Sequence, residues 1–287
     1  MRDVIISADD FGISEEVNEA IEIAHRNGIL STASLMVAAD ATADAVRRAR
    51  ALPNLHVGLH VVLVNGRPAL APERVPLLVD RDGNFATDLF RAGVNFFFRP
   101  GVRKQLEDEI RAQFEAFVAT GLTLDHANAQ NHMHVHPTVL GILVKVGKEY
   151  GLRAVRIPFE PFLSSWRSMH NALPQRFANA VFLAPWLTLM KARLRAAGIT
   201  TNDFVFGMND TGHMTKERVL QFIPNLPRGI SEMYFHPATA RWDGVLGMDD
   251  YDFTGEYQAL VDPSVSAALR GSGARSISYS ALAAGAS

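Results

Sequence analysis

Residues 3–27 read DVIISADDFGISEEVNEAIEIAHRN, and this stretch sets the grammar of the whole chain. Asp3–Ser7 is a short apolar run of strand type, closed by the polar turn ADDFG. Val17, Ala20, Ile21 and Ala24 then recur at helical spacing, with Ser14 as the N-cap and Gly28 as the stop. Working outward, the same strand-then-helix unit returns. A β-rich stretch covers Leu30–Val37, an Ala-rich helix Ala41–Ala51, and HVGLHVVLV at His56–Val64 reads as a buried strand. A charged helix is expected near Val102–Ala119, a strand at Leu122–Ala127, a helix at Pro137–Tyr150 and a short strand at Arg153–Ile157. Strand, helix, strand and helix follow at Asp203–Gly207, Thr215–Ile223, Ile230–Phe235 and Tyr257–Leu269, with a last strand near Arg275–Tyr279. About seven strands alternating with helices predict an α/β fold with a mostly parallel sheet, open or closed, and the closed (β/α) barrel is the expectation. Nothing resembles an interdomain linker, so one domain over 1–287 is expected, with insertions near 65–88 and 159–199.

Composition narrows the function. The chain has 287 residues, 48% apolar and 20% charged, with 28 Lys plus Arg against 30 Asp plus Glu. A formal net charge of -2 argues against a nucleic-acid binder, which needs surplus cations to displace counterions. The even balance is compatible with a homodimer. With no cysteine, thiolate metal sites, disulfides and Cys nucleophiles are excluded, so any metal must be held by His, Asp, Glu or an amide oxygen. The start of the chain leaves no room for a signal peptide, and Ala180–Met190, interrupted by Pro185, is too short to cross a bilayer. A cytoplasmic protein is expected.

The chemistry-bearing residues sit at predicted strand ends. Four of the ten histidines, His126, His132, His134 and His136, fall within eleven residues. In an extended segment, alternation points the last three to one side, where at most two reach one metal. Asp9 and Asp10 end the first strand. Adjacent carboxylates repel unless a cation or shared proton relieves them, so one is a candidate ligand and the other a candidate base; a helix-capping pair is the structural alternative. His60, Arg156 and His236 also fall at or just past strand ends, the face on which barrel chemistry gathers.

ADDFG, GLH at 58–60, the His-rich segment ending in Pro137, and the Glu232–Pro237 stretch EMYFHP together resemble the YdjC-like carbohydrate deacetylase family, over nearly the whole chain. DHANAQNHMHVHPTV and VRIPFEP look closest to its hopanoid-biosynthesis-associated HpnK branch. The resemblance implies a NodB-like, deformed (β/α) barrel that removes acetyl groups from N-acetylated sugars with a divalent metal, Zn or Mg. Carried over by position, Asp10 and His60 are metal ligands, Asp9 the general base and His236 the general acid. The third ligand falls on Gln130, where the family has histidine. An amide oxygen is a weaker ligand for zinc-like ions, so three outcomes stand open: Gln130 ligates, His132 takes over, or the site is weakened or empty.

In that reading the metal polarises the amide carbonyl, Asp9 takes a proton from the attacking water and His236 protonates the departing amine. Arg156, Glu160 and His134 are candidates for orienting the sugar or supporting the site, and Glu232 for fixing the His236 tautomer. The expected substrate is an N-acetylglucosaminyl hopanoid or related glycolipid. Residues 178–197, apolar from Val181 to Met190 and then basic at Lys191, Arg193 and Arg195, suggest peripheral contact with the inner membrane; a packing helix over the barrel is the alternative. Phe96, Phe97 and Phe98 offer a second apolar surface, either for the core or for contact with an acyl chain or ring. The competing functions are another metal hydrolase, such as a phosphoesterase, and a catalytically silent sugar- or lipid-binding homologue.

Overall fold

The structure is a computed structural model that describes residues 2–242 and 247–285. In chain order the elements are β1 (Arg2–Phe11), α1 (Glu15–Asn27), β2 (Thr32–Leu35), α2 (Thr42–Arg50), β3 (His56–Val61), α3 (Leu89–Phe98), α4 (Pro100–Ala119), β4 (Leu124–Ala129), α5 (Pro137–Glu149), α6 (Phe162–Met169) and α7 (Leu173–Ala196). They continue with β5 (Phe204–Phe206), α8 (Lys216–Phe222), β6 (Gly229–Phe235), α9 (Phe253–Val261), α10 (Pro263–Gly271), β7 (Arg275–Ser276) and α11 (Tyr279–Gly285).

The pairs among these strands are all parallel, in the order β4-β3-β2-β1-β6-β5, and β7 pairs with the start of β1. The expected strand at 153–157 is reduced to single bridges, Ala127 to Val155 and Ala154 to Thr200. Those two bridges link β4 to Thr200, in the segment that precedes β5. The sheet is therefore a curled half-barrel rather than an evenly closed one. Two other expectations need correction. The helix predicted at Tyr257–Leu269 is broken at Asp262, whose side chain caps α10 through Ser264 N at 2.7 Å while Pro263 occupies the first helical position. The last strand is only two residues long, because Tyr279 begins α11.

Alternation along β1 separates two environments. Val4, Ile6 and Ala8 face outward into the main apolar core, with Ile21 and Ala24 of α1. Ile5, Ser7 and Asp9 face the opposite way, into the curl. Ile5 packs there with Ala154 and Tyr279 in a separate small cluster. Above it, the inside of the curl is polar, and this polarity positions the site.

Candidate active site

β1 carries the first two site residues. Its register with β2 slips between Ala8 and Phe11, and Asp10 adopts a left-handed conformation, φ 63°. A bulge of this kind re-aims a side chain at a strand end, and here it turns Asp10 away from Asp9. The following Gly12 has φ 102° and donates its N–H to Asn18 Oδ1 at 2.8 Å. A Cβ at Gly12 would stand 2.9 Å from Met36 O, so the ADDFG turn requires glycine there.

Asp9 is clamped from below. Arg156, 0% exposed, donates to Asp9 Oδ2 at 2.5 Å and Oδ1 at 2.9 Å, and to Glu232 at 2.9 and 2.7 Å. Glu232 also accepts from Ser7 Oγ and the Tyr279 hydroxyl, each at 2.6 Å. Burial is the largest single influence on Asp9 and would raise its pKa, but the charge and hydrogen bonds of Arg156, together with the nearby His60 and His236, outweigh it and hold the carboxyl well below the usual range. Arg156 therefore fixes Asp9 as an ionised carboxylate and does not face the cavity. Glu232 holds Arg156; the expected contact with His236 is absent from its partners.

The geometry around His60 is decided by Asn128, which sequence reading missed because the predicted strand stopped one residue short of it. Asn128 Nδ2 donates to Asp9 Oδ1 at 3.1 Å and Ser34 Oγ at 3.0 Å, so its Oδ1 faces His60 Nδ1 at 2.7 Å. This network assigns the His60 proton to Nδ1. The Nε2 lone pair is then left facing Asp10 Oδ1 at 3.2 Å. Two acceptors pointed at each other call for a proton or a cation between them. Burial pushes the His60 pKa down, but Asp9 and Asp10 more than offset it and the net shift is upward. The donor chemistry thus fits a divalent cation held by Asp10 and His60. Among the described residues no three His, Asp or Glu side chains form a preformed ligand group. Gln130 Oε1, His132 Nδ1 and His236 Nδ1, all on residues lining the same cavity, are buried without a hydrogen-bond partner and are the candidates for a further donor.

The His-rich segment is not extended. Gln130–Val135 is a short 3-10 stretch in which Asn131 and His132 are left-handed, φ 50° and 52°, so the expected one-sided alternation fails. His132 enters the cavity, with Nε2 3.3 Å from the Tyr234 hydroxyl, and burial and the Arg156 charge lower its pKa to about 3. His134 turns into the wall, its Nε2 donating to Arg156 O at 3.1 Å. His136 caps α5 by accepting from Thr138 N at 3.2 Å. His126 lies deeper, between Ser34 Oγ and Asp125 and stacked on Tyr279.

His236 follows β6 and completes the cavity, with the rings of Tyr234 and Tyr251 at 5.6 and 5.1 Å. The carboxylate near its Nδ1 is Glu256 of α9, at 3.9 Å, which also accepts the His236 backbone N–H. Asp9, Asp10, His60, Gln130, His132, Tyr234 and His236 all line this cavity of about 240 Å³. Glu160 does not. It accepts from Arg176 at 3.0 Å, Asn209 N at 3.0 Å and Ser165, and so ties the α6–α7 insertion to the loop after β5.

The strand ends of a curled parallel sheet thus carry two carboxylates and three imidazoles into one cavity, the arrangement of a barrel-type α/β protein with its site at the C-terminal edge. The YdjC-like protein family matches residues 3–271, and the chain belongs to that family. A carbohydrate deacetylase from Brevibacillus brevis is 40% identical over 156 residues, 54% of this chain and 59% of that protein, so the match spans little more than half of that relative. A carbohydrate deacetylase from Thermoanaerobacter pseudethanolicus is 25% identical over 285 residues, 98% of this chain and all of that protein. A solved structure from Enterococcus faecalis V583, described as a candidate cellobiose-phosphate cleavage protein, superposes with a TM-score of 0.75 at 22% identity over 98% of each chain. At that identity the likeness concerns the fold. No helix among the described residues is long and apolar enough to cross a membrane.

Proposed function

We propose that the chain is a hydrolase that removes the acetyl group from an N-acetylated sugar with the help of a divalent cation. The observation that carries this is the convergence of Asp9, Asp10, His60 and His236 on one cavity. Membership of a family whose relatives are named carbohydrate deacetylase supports it. Asp10 and His60 would hold the cation, with Gln130 Oε1 or His132 Nδ1 as a further donor. Bound there, a cation supplies Lewis acidity toward the acetamide carbonyl.

The chain's own residues do the rest. Asp9, kept ionised and oriented by Arg156 and Asn128, takes a proton from the water that adds to the carbonyl carbon. His236 gives a proton to the sugar nitrogen as the C–N bond breaks, because an unprotonated amide nitrogen is a very poor leaving group. Acetate and a free amine result. The Glu256 carboxylate fixes the backbone of His236 and stands beside its ring.

The finer reading is a glycolipid substrate, such as an N-acetylglucosaminyl hopanoid. Its support is that the cavity shares Leu89 and His132 with an apolar groove of about 370 Å³ that includes Val94 and Phe97. The phosphoesterase reading is disfavoured because no Lys or Arg lines the cavity among the described residues. Offering the metal-supplemented chain an N-acetylglucosaminide and an aryl phosphate separates the readings. Acetate without phosphate release is expected; phosphate release would overturn the proposal, and tight sugar binding with neither product would favour the silent homologue.

A further inference from the structure

We propose that α3 and the α6–α7 pair form a docking surface for an anionic lipid bilayer at the mouth of the cavity. The charge pattern supplies the first argument. Segments 89–106 and 161–202 hold nine Lys and Arg and not one of the chain's 30 acidic residues. Arg176 is consumed internally by Glu160 and Asp210, Lys191 pairs with Asp203, and Arg103 donates to the Phe96 and Phe97 carbonyls. Arg91, Arg99, Lys104, Arg167 and Arg195 are exposed and make no ion pair among the described residues. Unpaired cations of this kind are attracted to a surface of anionic lipid.

The apolar pattern coincides with it. Among the described residues, eleven of the thirteen exposed large apolar side chains lie on these two segments, with Phe90 82%, Phe182 81% and Phe98 71% exposed. Scattered single hydrophobes are ordinary, but a concentration marks an interaction site. The sequence suggested an amphipathic stretch at 178–197. In the structure Leu187, Met190 and Leu194 of α7 are buried while Val181, Phe182 and Leu189 are exposed. A helix apolar on both sides needs cover on the second.

The two segments meet at one place. The rings of Phe96 and Phe97 each stand 6.0 Å from that of His136, and Trp186 of α7 donates to Val135 O at 2.7 Å. Phe182 precedes Trp186 by one helical turn, on the same side of α7. The turn between them presents His132 to the cavity. A bilayer seated on this face therefore lies across the cavity mouth. A second copy of the chain is a poorer occupant, since a self-complementary contact would bring unpaired cations against unpaired cations.

The inference stands apart from the deacetylase reading, because its test needs no turnover. The full chain is sedimented with phosphatidylcholine vesicles, with and without phosphatidylglycerol, at low and high salt. Binding is expected only with phosphatidylglycerol and is weakened by salt. The triple change F90S, F98S and F182S should lower partition about tenfold or more, and R91Q, R99Q and K104Q about fivefold per charge, without altering the melting curve. Should the Phe changes disturb folding, the Arg and Lys changes and the salt series still decide. Wild-type protein left in the supernatant with anionic vesicles at low salt would overturn the proposal. So would unchanged partition of the variants, or a wild-type dimer that the Phe changes dissolve without vesicle binding.

Discussion

His60 Nε2 stands 3.2 Å from Asp10 Oδ1 while its Nδ1 is held at 2.7 Å by Asn128 Oδ1. The ring is thereby oriented so that a lone pair and a carboxylate oxygen converge on one point. Asn128 is buried and does not line the cavity; it acts through His60 and Asp9. Replacing Asn128 with Ala should weaken divalent-cation binding about 10- to 100-fold, the usual cost of losing such an orienting partner. Calorimetric titration of metal-free protein checks it, and an unchanged affinity would remove Asn128 from the account.

Arg156 is placed as the shared counter-charge of two buried carboxylates, Asp9 and Glu232. Arg156→Met should therefore cost about 3–5 kcal/mol of stability, because both anions lose their partner. Urea denaturation measures this. If Arg156 instead served the sugar, the variant would fold normally and lose only substrate affinity.

Acid sensitivity follows from His132. Its pKa is lowered in the fold, to about 3, whereas the unfolded chain titrates near the ordinary 6.5. Between those values the unfolded state binds the extra proton, so stability falls as pH drops below 6.5. One histidine held neutral in this way costs about 2 kcal/mol at pH 5 relative to pH 7. His134, also lowered by burial, acts in the same direction. His60 is shifted upward and changes stability only above 6.5. His132→Asn in metal-free protein should flatten the profile between pH 7 and 5; an identical slope would contradict the assignment.

Glu160 provides a control. Because its carboxylate is spent on Arg176, Ser165 and Asn209, Glu160→Ala should leave KM within about twofold while loosening α6 and α7. Limited proteolysis should then cut within 161–200 earlier than in the wild type, since a buried charge left unpaired favours local opening. A large rise in KM with unchanged proteolysis would return Glu160 to the substrate.

Much of the fold was legible because β1, β3 and β6 are apolar runs ended by polar turns, and α1 carries its cap and stop in the sequence. The barrel seam was not. Residues 153–157 have strand composition, but a single bridge on each side holds them, and pairing is a property of neighbours rather than of the segment. Asn128 lies past the point where β-propensity fades, which hid the residue that orients His60. The His-rich turn misled because left-handed Asn131 and His132 replace the alternation of an extended chain. Glu232 and Glu256 flank His236 in sequence at four and twenty residues, and spacing alone favoured the nearer one. Only the curl of the sheet shows that Glu232 faces Arg156 and that α9 brings Glu256 to the histidine.

The most direct test compares wild type and Asp9→Asn, both loaded with a divalent cation, for acetate and free amine released from an N-acetylglucosaminyl conjugate. The account predicts one acetate per amine from the wild type. Asp9→Asn should release them about 10²- to 10⁴-fold more slowly, the range for loss of a general base, while binding the cation as before. No acetate from the metal-loaded wild type, or equal rates from the two proteins, would contradict it.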